Sequence, residues 1–174
     1  MYELDVNLEI RPIRDDDGDR LVQFHDSLDG YSQYLRFFMP HPHLSTKEVE
    51  RFTHVDHLGR QALVAICDGQ IVAVGRSDEL ASQPGTAEVA FIVAPRWRNH
   101  GLATELLHRL ADGARARRVD TFVAETLPDN APMRQVFRDA GFPVSSRFVA
   151  GLNQVRIDIS VPPVQPMAGL RGSA

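Results

Sequence analysis

Cysteine, long apolar runs and an export sequence are scarce or missing in this chain. Its 174 residues include one cysteine, Cys67, which excludes an internal disulfide and is typical of a reducing compartment. No segment approaches the ~18 apolar residues that a membrane span needs. The N-terminal MYELDVNLEI also lacks the basic and apolar regions of a signal peptide. We therefore expect a cytoplasmic protein with no membrane partner.

An excess of positive charge is also missing. The 19 lysines and arginines and 23 aspartates and glutamates give a formal net charge of −4 at pH 7. General nucleic-acid binding normally goes with a basic excess, so no nucleic-acid partner is expected. The charge does not exclude an anionic small molecule, because backbone N–H groups can form a local anion site even in an acidic protein.

The N-terminal part of the chain is predicted to hold an edge strand and a helix. Residues 7–12 alternate apolar and polar side chains and end on a proline, which is typical of an edge strand. The acidic run Asp15–Asp17 is expected to begin a helix that Gly30 ends. Residues 32–44 are rich in aromatic side chains but contain two prolines, so they are predicted as a partly structured loop.

The remainder predicts a mixed α/β (α+β) fold. Three consecutive strands are expected from ALVAIC, QIVAVGR and EVAFIV, the first two joined by a tight Asp68-Gly69 turn. A helix of about four turns, a strand (DTFVAETL), a further helix (DNAPMRQVFRDAGF) and a closing hairpin follow. We expect one domain over residues 1–161 and a flexible Pro/Gly-rich tail over residues 162–174.

The turn that leads from EVAFIV into the long helix has the composition of an anion site. In its sequence, RWRNHG, Arg96 and Arg98 supply positive charge, and Gly101 lets the backbone approach a bulky phosphate. The first N–H groups of a helix have no internal partner, and the helix dipole adds partial positive charge there. Neither common nucleotide fingerprint is present. A plain strand-to-helix turn with surface arginines explains the same residues equally well.

Two motifs resemble those of the GNAT superfamily of N-acyltransferases. Residues 98–103 (RNHGLA) match R/Q-x-x-G-x-G/A, the loop that binds the pyrophosphate of acyl-CoA in that family, and residues 130–142 resemble its N-x-x-A/M…Y-x-x-x-G-F segment. The resemblance covers about residues 8–161. It implies a mostly antiparallel mixed sheet of about six or seven strands, about four helices, and splayed fourth and fifth strands. It also implies acetyl-CoA as cosubstrate.

The resemblance implies roles for individual residues. The pantetheine arm of the cofactor would pair with the main chain of Phe91, Ile92 and Val93 and would contact the side chain of Asn130. The backbone N–H groups that would hold the pyrophosphate belong to Arg98, Asn99, His100, Gly101, Leu102, Ala103 and Thr104.

Glu88 is the candidate general base. Acetyl transfer to an amine requires the neutral amine, and a lysine with a pKa of ~10.4 is neutral only about once in 2,500 at pH 7. Glu88 lies on the strand that enters the turn, with apolar residues on either side of it in the sequence, and its position resembles that of the glutamate base of several GNAT enzymes. Strand alternation is expected to place Glu88, Ala90 and Ile92 on one face of this strand and Val89, Phe91 and Val93 on the other. The alternative is a glutamate that marks the solvent-facing end of a strand.

One position departs from the family pattern. Many GNAT enzymes have a tyrosine on the fourth helix that protonates the leaving thiolate, and Phe137 occupies the matching position here. A phenyl ring has no proton to donate, so we name no general acid. Three alternatives stay open: coenzyme A leaves as the thiolate, a water molecule or another residue donates the proton, or catalysis is weak.

No metal site is expected. Four of the seven histidines lie close together in the sequence, with Asp56 beside them, but HVDH has no standard zinc spacing. Cys67 lies in an apolar strand and is interpreted as a core residue. The histidines concerned are His41, His43, His54 and His57.

The acceptor side carries a second resemblance. Residues 32–38, 41–57 and 61–66 are similar to segments of bacterial Pat-type protein lysine acetyltransferases, which modify a lysine of acyl-CoA synthetases. The implied partner is a protein lysine, such as one on an acyl-CoA synthetase. Two alternatives stay open: an N-acetyltransferase for small amines, and a catalytically idle sensor of acyl-CoA, which Phe137 favours.

Overall fold

The computed structural model describes residues 7–164, in which seven strands form one sheet and five α-helices cover it. The helices are α1 (Gly18–Ser27), α2 (Gly30–Phe37), α3 (Thr46–Thr53), α4 (Leu102–Arg115) and α5 (Ala131–Asp139). The strands are β1 (Leu8–Pro12), β2 (Arg60–Cys67), β3 (Gln70–Glu79), β4 (Thr86–Val93), β5 (Thr121–Thr126), β6 (Val144–Val149) and β7 (Leu152–Asp158).

The sheet is mixed and mostly antiparallel, as predicted. Its strand order is β1-β2-β3-β4-β5-β7-β6, and β1 is an edge strand. Every neighbouring pair is antiparallel except β4 and β5. These two run parallel and pair only at Thr86–Thr121, Ala87–Phe122 and Glu88–Val123, after which they separate. The predicted splay of the fourth and fifth strands is confirmed.

The segment after α1 differs from the prediction. Gly30 does not end α1, which stops at Ser27, but begins α2, so half of the predicted loop is helical. Asp29 caps this helix, because its side chain accepts a hydrogen bond from the Ser32 N–H at 3.0 Å. Both prolines lie beyond Phe38, a residue in the left-handed region (φ 62°) that follows the last turn, so they do not interrupt α2. Because α2 was not predicted, the structure has five α-helices between residues 7 and 164, where about four were expected.

The two faces of the sheet are packed differently. On one face, α4 buries an apolar stripe against β3 and β4, at such close range that a Cβ on Gly75 of β3 would lie 3.2 Å from the Cβ of Leu106. On the other face, α1 packs Leu21 and Phe24 with β2 and β3. Cys67 belongs to the core as predicted, and burial raises the pKa of its thiol.

The ends of the chain are described only in part. The predicted tail, residues 162–174, falls mostly outside the described residues. Within residues 162–164, the Val164 N–H donates to the Gly141 carbonyl at 2.9 Å. Between residues 7 and 164, the helices are all too short or too polar to cross a membrane.

A buried carboxylate joins β1 to α1. Asp17 is fully buried, and both of its oxygens accept hydrogen bonds from the Arg11 guanidinium, at 2.7 and 2.8 Å. The Arg14 N–H donates to Asp17 at 2.8 Å, and Arg20 approaches it at 3.2 Å. These donors, Arg11 first, lower the pKa of Asp17 from 3.8 to about 2. Because the folded pKa is depressed, the charged form stabilises the fold at neutral pH, and this contribution disappears as the pH falls towards 2.

We expect Asp17→Asn to lower the free energy of unfolding by about 2 kcal/mol at neutral pH, and the difference from wild type to shrink between pH ~4 and pH ~2. Urea unfolding at several pH values measures this. Asp16→Asn, which changes an exposed neighbour, is the matched control and should unfold like wild type. If Asp17→Asn lowers the free energy of unfolding by the same amount at pH ~2 as at neutral pH, the charge of Asp17 is not what stabilises the junction of β1 and α1.

Candidate active site

The N-terminus of α4 presents unpaired backbone amides. Gly101 precedes the helix with φ 79°, no side chain caps it, and the first helical bond runs from the Glu105 N–H to the Gly101 carbonyl at 3.0 Å. The N–H groups of residues 99–104 have no acceptor within residues 7–164, whereas the Arg98 N–H already bonds to the Pro95 carbonyl at 3.3 Å. Six consecutive amides, one fewer than the sequence indicated, are therefore available to an anion.

The edge of β4 is also free where the strands separate. On its β3 side, β4 stays paired through Val93, but on its β5 side the pairing stops at Glu88. The backbone of residues 89–93 therefore has no strand partner in the splay. An extended molecule that carries amide groups can pair with such an edge.

Both features open into one cavity of about 780 Å³, a size typical of small-molecule sites. Of the twelve predicted site residues, only His100 is not on the wall; it lies exposed beside it. The predicted residues that line the cavity are Glu88, Phe91, Ile92, Val93, Arg98, Asn99, Gly101, Leu102, Ala103, Thr104 and Asn130.

Glu88 lies at the fork between β4 and β5. It is the last residue of β4 to pair with β5, and its side chain is exposed on the cavity wall. Val89 and Phe91 face the opposite, buried side of the strand. The predicted alternation is confirmed: Glu88, Ala90 and Ile92 share one face of β4. A solvated carboxylate at the fork can accept a proton directly or through a water molecule.

The side chain of Arg98 does not extend freely into the cavity. Its Nε donates to the Val93 carbonyl at 3.2 Å, and its Nη2 donates to the Ser32 hydroxyl of α2 at 2.6 Å. Ser32 is buried and in turn donates to the Asp29 carboxylate. That bond, helped by the charge of Arg98, lowers the pKa of Asp29. Arg98 therefore joins the amide-bearing turn to α2, a role that the sequence analysis did not foresee.

Two residues of the α5 region form part of the cavity wall opposite β4. Asn130 caps α5, its Oδ1 accepting from the Met133 N–H at 3.2 Å, which leaves its side-chain NH₂ for another acceptor. Phe137 is almost fully buried and packs edge-on against Phe91, with ring centroids 6.4 Å apart. The wall at Phe137 is therefore apolar and has no proton donor.

The histidines are dispersed rather than gathered. His41 lies 3.0 Å from Glu48, His43 lies 3.6 Å from Asp26, and His54 lies 3.9 Å from Asp15. Within residues 7–164, no group of three or more histidine, cysteine, aspartate or glutamate side chains is placed to hold a metal ion.

The sequence profile of the "Acetyltransferase (GNAT) domain" family matches residues 7–143. The chain belongs to the GNAT family. It is therefore an acetyltransferase, with acetyl-CoA as its cosubstrate. The six free amides, the unpaired β4 edge and the cavity between them fit a diphosphate joined to an extended amide-bearing arm.

One solved structure and two sequence relatives agree with this assignment. The GNAT domain of PAT from S. lividans is 39% identical, with a TM-score of 0.81, over 87% of this chain and 90% of that one. The L-amino acid N-acetyltransferase AaaT of Escherichia coli is 27% identical over 139 residues, which is 78% of this chain and 82% of that protein. An acetyltransferase of Pseudomonas aeruginosa is 28% identical over 136 residues, 76% of this chain and 73% of that protein.

Some residues at the site were missed by sequence reasoning. Asp29 and Ser32 begin a helix with an N-cap pattern that was readable in the sequence but was hidden by the two prolines that follow. Arg36 and Arg76 border the same cavity region from α2 and β3. An arginine inside a strand and another in a predicted loop carry no sequence pattern that brings them together.

We expect Arg98 and Ser32 to be energetically coupled, because their hydrogen bond is charge-assisted and partly buried. In a double-mutant cycle with Arg98→Ala and Ser32→Ala, urea unfolding should give a coupling energy of about 1–2 kcal/mol. Arg96→Ala combined with Ser32→Ala is the control, and its effects should add, since Arg96 is exposed. Additive effects for Arg98 and Ser32 would mean that this bond does not hold α2 to the turn.

Proposed function

We propose that this GNAT enzyme is a protein lysine N-acetyltransferase, which transfers the acetyl group of acetyl-CoA to a lysine side chain of an acyl-CoA synthetase. Such a reaction would take place in the cytoplasm. The proposal joins three parts: a site for the cosubstrate, a base at the fork of the sheet, and an exposed acceptor side formed by α2.

The free amides of residues 99–104 are the proposed pyrophosphate site. Six N–H donors at the positive end of α4 favour a diphosphate. The space in front of Gly101 is open, since no protein atom lies within 4 Å of where a Cβ would be, so a diphosphate has room there. The proposed site for the pantetheine arm is the edge of β4 at Phe91, Ile92 and Val93, with Asn130 opposite. These positions would deliver the thioester near Glu88.

Glu88 is the proposed general base. Its carboxylate would take the proton from the lysine ammonium, and the neutral amine would then attack the carbonyl carbon of the thioester. The new C–N bond forms as the C–S bond breaks. The attacking nitrogen gives its second proton to the solvent as the amide forms, and coenzyme A leaves as the thiolate. Because Phe137 supplies no proton, the thiolate would be protonated by solvent rather than by α5.

The observation that carries the choice of a protein acceptor is the exposed apolar side of α2. Ser32, Leu35 and Arg36 line the cavity, while Tyr31 and Tyr34 on the same helix are exposed, as is Met39 just beyond it. Exposed aromatic side chains beside an open site are typical of protein contacts. The 39% identity to the GNAT domain of S. lividans PAT supports the same choice.

A small amine is the second candidate acceptor. Among small amines, an amino acid is the favoured candidate, because this chain is 27% identical to the E. coli L-amino acid N-acetyltransferase over most of that protein's length.

We expect a purified acyl-CoA synthetase to be acetylated with a higher kcat/KM than free L-amino acids or spermidine. Mass spectrometry of the product should find the acetyl group on a single lysine. Transfer to free amines alone would replace the proposal by the second candidate. Binding of coenzyme A in calorimetry without transfer to any of these acceptors would identify a sensor instead.

Glu88→Gln should lower turnover at least about tenfold and leave the affinity for acetyl-CoA unchanged, because the amide accepts no proton but keeps the shape of the side chain. Steady-state kinetics and calorimetry measure the two effects. Glu125→Gln, which neutralises an exposed glutamate across the same cavity on β5, is the matched comparison and should have the smaller effect. Unchanged turnover in Glu88→Gln would remove Glu88 from the mechanism.

A further inference from the structure

A small recess opens beside the acceptor end of the cavity. Its volume is about 40 Å³, and Arg36, Ala90 and Ile92 line both the recess and the main cavity. The rest of the lining consists of His25, Arg76 of β3 and apolar side chains. Two arginine residues thus border one small space next to the site.

Arg76 lies on the same face of the sheet as Glu88. In the register of β3 and β4, Arg76 is opposite Ala90, and Asp78 is opposite Glu88. Residues opposite each other share a face, so Arg76 and Glu88 are diagonal neighbours, which lie roughly 7–8 Å apart in antiparallel pairs. The base and this guanidinium can therefore contact two ends of one small molecule or two neighbouring side chains of a protein.

One nitrogen of Arg76 has no partner. The residue is 7% exposed, its Nη1 donates to the Phe52 carbonyl at 2.9 Å, and its guanidinium lies 4.7 Å from the centroid of the Phe52 ring. Nη2 is buried without a hydrogen-bond acceptor among residues 7–164. Burial lowers the pKa of Arg76 to about 10, so the group stays charged at neutral pH. A buried charged donor without an acceptor is costly unless a ligand supplies one.

Arg36 also lacks an ion-pair partner among the described residues. It is half-buried on α2 and forms no ion pair with any residue of the described range 7–164. Burial lowers its pKa, while the charges of Glu88 and Asp78 act in the opposite direction. The Arg36 guanidinium therefore lies within electrostatic reach of the proposed base without being bound to it.

The charges around this recess do not cancel. The charges of Arg51, Arg60, Glu88 and Asp78 act on Arg36 and Arg76. Arg60 lies 3.5 Å from Asp78 and also interacts with Asp56, which accepts a hydrogen bond from its N–H. Four arginines thus meet three carboxylates. The acceptor side therefore has an excess of positive charge, which disfavours a polyamine and favours an acceptor that carries an anionic group.

We propose that Arg36 and Arg76 form a carboxylate subsite, which takes an acidic side chain of the protein acceptor close to the lysine that is acetylated. This inference rests on the proposed function. A guanidinium is planar and donates paired hydrogen bonds, which match the two oxygens of a carboxylate. The same subsite would take the α-carboxylate of a free amino acid, so the experiment includes both sources.

The test uses the full chain and matched acceptors. Short peptides with a central lysine carry one glutamate at successive flanking positions, and each has a twin with glutamine in its place. Free L-amino acids and their α-amides form the second arm. The kcat/KM of transfer is measured for every acceptor, and calorimetry in the presence of coenzyme A measures binding of each acetylated peptide.

With wild type, the glutamate peptide at the favoured position should exceed its glutamine twin about tenfold in kcat/KM or in affinity. Arg36→Gln should reduce this ratio towards one, and Arg36→Lys should retain part of it. Arg109→Gln, an exposed arginine of α4 that pairs with Glu105, is the matched control and should keep the wild-type ratio. Because the readout is a ratio within one variant, loss of stability alone does not imitate the effect.

The outcomes separate this inference from the proposed function. A preference only for amino acids over their amides, lost in Arg36→Gln, would support the subsite but reject the protein acceptor. Efficient acetylation of peptides with equal ratios at every position would support the proposed function and overturn the subsite. Equal binding of glutamate and glutamine peptides without any transfer would reject both. An unchanged ratio in Arg36→Gln would mean that the arginines only balance Asp78 and Glu88.

Discussion

The separation of β4 from β5 is the constraint on which the rest of the site depends. Three residue pairs hold the two strands together and end at Glu88. Beyond that point the β4 backbone has hydrogen-bonding groups but no strand partner, which is costly in a buried sheet unless another molecule supplies the bonds. The same separation makes room for the cavity and leaves the α4 amides facing it. At the proposed site, cosubstrate binding would complete hydrogen bonding that the fold leaves open.

α2 connects the two halves of the reaction. Arg98 bonds to Val93 and to Ser32, so the turn that carries the free amides is tied to the helix that borders the acceptor side. The neighbouring Arg36 faces the charge of Glu88 from the same helix. A shift of α2 would therefore move both the entrance to the cofactor site and the surroundings of the base. The proposed cofactor and acceptor sites therefore share one helix.

The acceptor side is distinguished more by charge than by shape. Glu88 and Asp78 face each other across β3 and β4, an arrangement of like charges that is unfavourable by itself. The charge of Arg36 on α2 acts on both carboxylates, and that of Arg76 on β3 acts on Asp78. In the same fold, a surplus of arginine or of carboxylate near the base selects between acceptors of opposite charge.

The sequence by itself determined the strands, the long helix, the turn motif and the face of β4 that carries Glu88, because these follow from local periodicity and from spacing within one segment. It misjudged residues 30–37, where a capped helix precedes two prolines. Only the tertiary structure decided that Arg98 bonds to α2 and that Arg36 and Arg76 border one recess. These residues come from segments far apart in the chain, and the direction and burial of a side chain depend on what packs around it, which no local pattern records.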